Sequence, residues 1–180
     1  MESAAFLSDR PERFKFKYQE TDPLARLLRR TLREQALTLY SQGVKRICCG
    51  PSPGVGFWAA ETILELSAEC PDFLLTCVLP FEGCDRNWDA ASRRRYRRIL
   101  SSCKEILSAS RITPNAQNPT AVATAYKRRN YLLVDQAAWL VVVYDQDRSV
   151  RTQVGQAVNY AKSKGRSIVY IHPDTAEVTG

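Results

Sequence analysis

The chain has 180 residues, of which 44% are hydrophobic and 25% charged, and it carries a formal net charge of +7. These values are typical of an ordinary soluble globular chain, and the length suits one domain with a sizeable core over residues 1–180. No apolar run approaches a membrane span, and no basic segment leads into a secretory apolar core, so we expect no membrane anchor and a cytoplasmic location.

Apolar segments in the first half of the chain predict strands and helices that alternate. A short strand over residues 4–7 precedes a polar loop, and Thr21 or Asp22 then caps a helix that ends at Gly43. A second strand follows over 44–49, a glycine and proline turn over 50–56, and a helix that opens at Phe57. A third strand is predicted over 73–79.

The second half continues the alternation with a helix over 89–103, a weak strand over 105–109 and an irregular loop over 110–120. A helix over 121–135 precedes the almost wholly apolar strand at 138–144, and a last helix and strand are predicted over 151–164 and 167–171. This order implies an α/β fold with a mainly parallel sheet and helices on both faces. Ligands of such folds bind beyond the carboxyl ends of the strands.

The glycine and proline turn over 50–56 is the clearest candidate for a binding site. A strand that empties into such a turn leaves backbone N–H groups free at the start of the next helix, where negative charge is favoured. Glycines let the main chain approach a ligand closely. A tight strand-to-helix turn without any ligand explains the same residues equally well.

Cysteine and histidine patterns predict neither a metal site nor a disulfide framework. The six cysteines form no C-x-x-C pair, and the chain has one histidine, His172. We therefore interpret the cysteines as reduced, mainly apolar residues, and we expect no metal and no separate cofactor.

Six ordered blocks of residues resemble the YpsA/YoqJ-like branch of the SLOG superfamily, from about residue 7 to residue 171. The blocks read D-R-P-E-R-F-x-F, G-x-x-x-G-x-G-F-W-A-A-E, L-P-F-E-G with a later Trp88, R-R-Y, R-R-N-Y-L-L-V-D and V-V-V-Y-D. The resemblance implies a Rossmann-like three-layer α/β/α sandwich with a pocket for a nucleotide or a nucleotide-derived ligand. SLOG relatives include cytokinin-activating phosphoribohydrolases and the DNA-uptake protein DprA, but the resemblance implies no settled reaction for this branch.

The chain departs from the family pattern at three loops. The first loop usually reads G-H-R-P and here has Asp9, and the aspartate position of the second loop is Gly56. A glycine pair and threonine, common before the last helix, are missing near Ser149, and residues 152–157 lack the glutamate that the phosphoribohydrolases need. These departures argue against that hydrolysis, and they also put the usual ligand of the family in question.

We predict a ligand site formed by the glycine turn and by polar residues near the strand ends, with no catalytic residue assigned. Several of these residues also have a structural explanation: Glu61 as a charge near a helix start, Asp145 as a turn residue and Arg10 as a solvated side chain. The predicted ligand-binding residues are Arg10, Gly50, Ser52, Gly54, Gly56, Glu61, Glu82, Arg129, Asn130 and Asp145.

A basic run on the third helix supports an alternative function. Five arginines at positions 93, 94, 95, 97 and 98 could bind nucleic acid or an acidic protein partner, although a solvated helix face is often basic without one. The candidates are Arg93, Arg94, Arg95, Arg97 and Arg98. A third hypothesis, hydrolysis of a nucleotide glycosidic bond, would use Glu61 or Glu82 as acid or base. A homodimer is compatible with the apolar helix faces.

Overall fold

Seven strands and five helices are present in the computed structural model, which describes residues 2–112 and 118–180. The strands are β1 (Glu2–Ser8), β2 (Val44–Cys49), β3 (Leu74–Leu79), β4 (Glu105–Ser108), β5 (Trp139–Val143), β6 (Ser167–Ile171) and β7 (Val178–Thr179). The helices are α1 (Pro23–Ser41), α2 (Val55–Glu69), α3 (Ala90–Ser102), α4 (Pro119–Asp135) and α5 (Gln153–Ser163).

The strands form one sheet in the order β4-β3-β2-β1-β5-β6-β7. All neighbours from β4 to β6 pair in parallel, and only β7 runs antiparallel, against β6. The chain moves outward from β1 to β4 and then returns to place β5 on the other side of β1. This confirms the Rossmann-like, mainly parallel α/β fold, with its reversal of strand order between β1 and β5.

Helices cover both faces of the sheet. Because successive residues of a strand point to opposite sides, each central strand contributes side chains to both cores. On β5, Val141 and Val143 join one core cluster with residues of α1, α2 and α3. Leu140 and Val142 join the other cluster with residues of α4 and α5. The apolar run of β5 therefore serves two cores at once, as expected for a central parallel strand.

Side-chain caps fix the starts of four helices and leave α2 as the exception. Asp22 Oδ1 accepts from Leu24 N at 2.8 Å and Asn118 Oδ1 from Ala121 N at 2.9 Å, and Asp89 and Thr152 cap α3 and α5. Asn118 and Pro119 start α4 two residues before the predicted position. Helix α2 also starts two residues early, after Gly54, and it has no side-chain cap.

Two short elements were not predicted, a 3₁₀ turn at Pro11–Arg13 and the edge strand β7. Both are too short to give a periodic pattern in the sequence. The loop predicted over 110–120 lies partly outside the described residues. Across residues 2–112 and 118–180, no helix combines the length and the apolar character needed to cross a bilayer.

Helix α1 offers a matched test of the core. Leu32 is 1% exposed and packs in the cluster beneath α2, whereas Leu37 on the same helix is 40% exposed. We expect Leu32→Ala to lower the free energy of unfolding by about 2–5 kcal/mol, because it leaves a cavity. Leu37→Ala should change it by about 0.5 kcal/mol or less. Equal losses in urea denaturation would contradict this packing.

Candidate functional site

A cavity of about 850 Å³ lies at the carboxyl ends of β1 and β2, next to the reversal of strand order. Five segments line it: the loop after β1, the glycine turn with the start of α2, residues 87–92 at the start of α3, the inner face of α4 and the start of α5. Its size falls within the range of small-molecule sites. Polar residues at its wall include Asp9, Arg10, Glu12, Arg13, Tyr18, Ser52, Asn87, Asp89, Ser92, Tyr126, Arg129, Asn130, Thr152 and Gln153.

The start of α2 turns free backbone N–H groups toward this cavity region. Phe57 N and Trp58 N are bonded to Ser52 O and Gly54 O, but within the described residues Val55 N and Gly56 N donate no hydrogen bond. Val55 and Gly56 both line the cavity. The positive φ of 91° at Gly54 makes the reversal that starts the helix. The result is a helix N-terminus suited to an anion.

Main-chain atoms lie close to Gly56, the position at which the resemblance implies an aspartate. A Cβ placed on Gly56 would lie 2.5 Å from Gly50 O and 3.0 Å from Ser52 Oγ. Because the nearest of these atoms belongs to the main chain, a side chain at Gly56 would force the turn to move. This turn therefore has no room for the aspartate that the resemblance implies at position 56.

Arg129 extends from α4 across the glycine turn and is the most unusual cation of the structure. A Cβ on Gly50 would lie 2.8 Å from Arg129 Cζ, so the guanidinium packs directly on the main chain. The guanidinium also lies over the Tyr126 ring, 5.0 Å from its centroid. No carboxylate of the described residues approaches it within 4.0 Å. The residues outside that description include no Asp or Glu.

Burial lowers the pKa of Arg129, and the neighbouring charge of Arg10 lowers the pKa further. An arginine nevertheless stays protonated in a protein. Two cations, Arg10 and Arg129, thus approach the same space with no acidic side chain paired to Arg129. Arg129 is half-buried and has no carboxylate partner among the described residues, so a counter-charge brought by a ligand would stabilise it. This arrangement favours the binding of an anion.

Asn130, the next residue of α4, is 3% exposed and also lines the cavity. Its Oδ1 accepts from Arg129 Nη2 at 3.0 Å and from Arg129 Nε at 3.2 Å. This pair of hydrogen bonds holds the guanidinium over the turn. The Nδ2 group of Asn130 donates to no acceptor among the described residues and remains available to a ligand.

A second electrostatic group lies on the loop after β1. Asp9 is 8% exposed, and Arg13 Nε approaches its Oδ2 at 3.5 Å. Arg13 Nη2 also approaches Asp145 Oδ2 at 3.5 Å. Burial raises the pKa of Asp9, Arg13 opposes that rise, and Asp145 adds to it. Asp9 therefore faces the cavity as a desolvated carboxylate with a shared counter-ion.

The structure brings together six of the ten residues predicted from the sequence. These cavity-lining residues are Arg10, Gly50, Ser52, Gly56, Arg129 and Asn130. Gly54 does not line the cavity but packs against the loop after β1, since a Cβ there would lie 2.7 Å from Pro11 Cγ. Glu61, Glu82 and Asp145 do not line the cavity.

These three acidic residues have other surroundings. The Glu61 carboxylate is bonded by Arg95, with Arg95 Nη2 donating to Oε2 at 2.8 Å, and Arg29 approaches at 3.3 Å. Glu82 is exposed and borders a separate cleft beside α3. Asp145 Oδ1 accepts from Asp147 N at 2.9 Å, as in the turn that was the alternative explanation.

The basic run of α3 divides into two groups. Arg95 pairs with Glu61 and Glu20, which raises its pKa, and Arg93 Nε lies 3.6 Å from Asp85 Oδ2. Arg94, Arg97 and Arg98 are exposed. The exposed basic surface of this helix therefore consists of three arginines rather than five.

Sequence reasoning missed Asp9, Arg13 and Tyr126 as parts of the cavity wall. The sequence shows Asp9 as a departure from the family pattern. Its position next to Arg10, directly after β1, is a signal that it belongs to the same site. Tyr126 lies one helical turn before Asn130, and this spacing was an available signal. All six cysteines are unpaired, and in the part of the chain that is described no three His, Cys, Asp or Glu residues cluster as metal ligands.

Asp9 provides a test of the cavity's electrostatics in the free protein. A carboxyl whose pKa is raised by folding destabilises the native state above its unfolded pKa, near 3.8, and has no such effect below it. We therefore expect Asp9→Asn to raise the melting temperature at pH 7, and the gain should shrink as the pH falls towards 4. A lower melting temperature at pH 7 would show that the Arg13 ion pair outweighs desolvation. Thermal denaturation across this pH range makes the measurement.

Comparison with known proteins now identifies the family. The YpsA family model, described as the YspA SLOG family, matches residues 10–176. The UPF0398 protein YpsA of Bacillus subtilis (strain 168) is 22% identical over 164 residues, which cover 90% of this chain and 88% of the relative. A UPF0398 protein of Bacillus cereus (strain B4264) is 26% identical over 82% of this chain and 76% of its own length. With its Rossmann-like sheet and a family match over nearly its whole length, the chain belongs to the YpsA family of SLOG proteins.

Proposed function

We propose that the cavity binds a nucleotide or a nucleotide-derived phosphorylated ligand, and that the protein acts as a sensor or regulatory module. The observation that carries this proposal is Arg129, a desolvated guanidinium that faces a cavity without an acidic partner. A phosphate group would supply the missing counter-charge. Guanidinium groups bind phosphate through two parallel hydrogen bonds, which makes the pairing specific as well as strong.

The backbone near Arg129 supports the same ligand chemistry. Val55 N and Gly56 N are free at the start of α2, where the helix dipole favours negative charge. Arg10 lies at the same cavity and adds a second positive side chain. Two cations and two backbone donors together fit a phosphate or a diphosphate better than they fit a neutral metabolite.

The two glutamates considered for glycosidic hydrolysis both lie away from the cavity. Glu61 is occupied by Arg95 and Arg29, and Glu82 borders the separate cleft beside α3. Hydrolysis of a glycosidic bond would need a carboxyl within reach of the ligand. Neither glutamate offers one in this cavity, so the third hypothesis loses its assigned residues.

Binding of nucleic acid or an acidic protein through α3 is the second candidate. The exposed arginines at positions 94, 97 and 98 follow i, i+3 and i+4 spacing, so they share one face of the helix. Such a face would bind phosphates without reading sequence, and the affinity would fall steeply with salt. This dependence on salt separates it from the cavity.

Arg129 gives the test of the proposed site. We would measure melting-temperature shifts and calorimetric affinities with ADP, ADP-ribose and NAD at two salt concentrations. A ligand at 100 times its Kd adds about 2.7 kcal/mol, or roughly 5–11 °C for a chain of this size. Arg129→Gln should weaken binding at least about tenfold, because a hydrogen bond to a charged group is worth about 1.5–3 kcal/mol. The melting temperature of the free variant should change little, since Arg129 is half-buried and has no carboxylate partner among the described residues.

Arg128→Gln is the matched control, because it removes the same charge from the exposed neighbouring position of α4. It should leave affinity almost unchanged. Equal effects of the two variants would contradict a specific role for Arg129. The alternative site on α3 would be favoured by a different result. None of the three nucleotides would then shift the melting temperature, whereas oligonucleotides would shift it in a salt-sensitive way, and the triple variant Arg94→Gln/Arg97→Gln/Arg98→Gln would lose that shift.

A further inference from the structure

We propose that Asp9 selects among phosphorylated ligands by accepting hydrogen bonds from hydroxyl or amine groups in their non-phosphate part. This inference rests on the proposed function, since it concerns the same cavity. It assigns a second, negatively charged subsite opposite in chemistry to the one formed by Arg129. The ligand class is thereby narrowed from any phosphate to phosphorylated compounds that also carry donors, such as a nucleotide with free sugar hydroxyls.

The contacts of Asp9 are the first support. Its side chain is more than nine-tenths buried, and it lines the cavity. None of the described hydrogen bonds ends on its carboxylate oxygens. Only the guanidinium of Arg13 approaches, at 3.5 Å, and that group is divided between Asp9 and Asp145.

The carboxylate oxygens of Asp9 remain accessible from the cavity, because they are not among the fully buried, unpartnered atoms of the described residues. A carboxylate has room for about four hydrogen bonds. Asp9 therefore holds acceptor capacity at the cavity wall that the described protein groups leave unused. A ligand with donor groups would fill it.

Charge gives the second support, because Asp9 opposes the phosphate that the cavity is proposed to hold. A carboxylate with no role in binding would only repel an anion and lower its affinity. The same carboxylate gains when the ligand brings hydroxyl or amine donors along with its phosphate. Asp9 would then admit donor-bearing phosphates and discriminate against bare inorganic ones.

Asp145 supplies a matched control that the fold provides. It contacts the same arginine at the same distance, 3.5 Å, but it does not line the cavity. Asp9→Asn and Asp145→Asn therefore remove the same charge and the same kind of Arg13 contact. Only the first removes a carboxylate from the cavity.

The test compares calorimetric affinities of the 180-residue wild type, Asp9→Asn and Asp145→Asn for inorganic pyrophosphate and for AMP, ADP and ADP-ribose. Asp9→Asn should weaken binding of at least one nucleotide about tenfold or more, as expected for lost hydrogen bonds to a charged group. The same variant should bind pyrophosphate as well as or better than wild type. Asp145→Asn should change the affinity for the nucleotides and for pyrophosphate by no more than about twofold, since Asp145 lies outside the cavity.

The source of the donors is resolved by ligand analogues. If a sugar hydroxyl donates to Asp9, the 2′,3′-dideoxy analogue should bind wild type more weakly and lose its sensitivity to Asp9→Asn. If the exocyclic amine of adenine donates, the inosine analogue should behave in that way. Sensitivity retained by both analogues would overturn the inference.

Other outcomes also decide between the two claims. Equal or tighter binding of every ligand by Asp9→Asn, with Arg129→Gln still harmful, would overturn the role of Asp9 and leave the phosphate site standing. Pyrophosphate binding without any nucleotide binding would do the same. Failure of pyrophosphate and all nucleotides to bind wild type would overturn the proposed function as well.

Discussion

The close contact of Arg129 with the main chain at Gly50 is the constraint on which the site depends. A guanidinium can lie this near a backbone only where no Cβ stands between them, and a Cβ at Gly50 would come within 2.8 Å of Arg129 Cζ. This contact brings α4, from one face of the sheet, against the turn that follows β2. The cavity wall is therefore shared between elements that are distant in the chain. Asn130 and Tyr126 then fix the guanidinium from its own helix.

The cavity combines groups that stabilise a ligand more than they stabilise the free fold. Arg129 has no carboxylate partner among the described residues, and Asp9 shares its only close cation with Asp145. Beside α2, by contrast, Glu61 is paired with both Arg95 and Arg29. The ion pairs of Glu61 stabilise the fold, whereas Arg129 and Asp9 remain available to a ligand. Burial and missing partners, rather than residue type, distinguish the two groups.

Much of the fold could be predicted from the sequence, because it follows from the spacing of apolar residues and from the residues that start and end helices. The apolar run of β5, the cap at Asp22 and the glycine at position 43 all act locally, so a linear reading detects them. Strand alternation with helices then gave the parallel sheet and the edge at which the cavity lies. The short strand β7 escaped detection because two residues carry no period.

The site was only partly predictable, since burial and pairing depend on the fold. Glu61 and Asp9 are both acidic residues near a strand or helix end, yet one is tied in ion pairs and the other faces the cavity. Nothing local in the sequence indicates that Arg95 reaches Glu61 from α3, or that a side chain at Gly56 would strike Gly50 O. Only three of the five arginines on α3 form an exposed basic surface, because Arg93 and Arg95 are paired with acidic residues that are distant in the chain or outside the helix.

Binding of an anion between Arg129 and the start of α2 can be observed at the individual nitrogen atoms involved. The most direct measurement is an NMR titration of isotope-labelled protein with inorganic pyrophosphate, following backbone amides and arginine Nε–H signals. We expect the largest shifts at Val55 N, Gly56 N and Arg129 Nε, and we expect them to saturate together at moderate salt. Shifts confined to Arg94, Arg97 and Arg98 on α3, which disappear as salt is raised while the cavity signals stay unchanged, would contradict it.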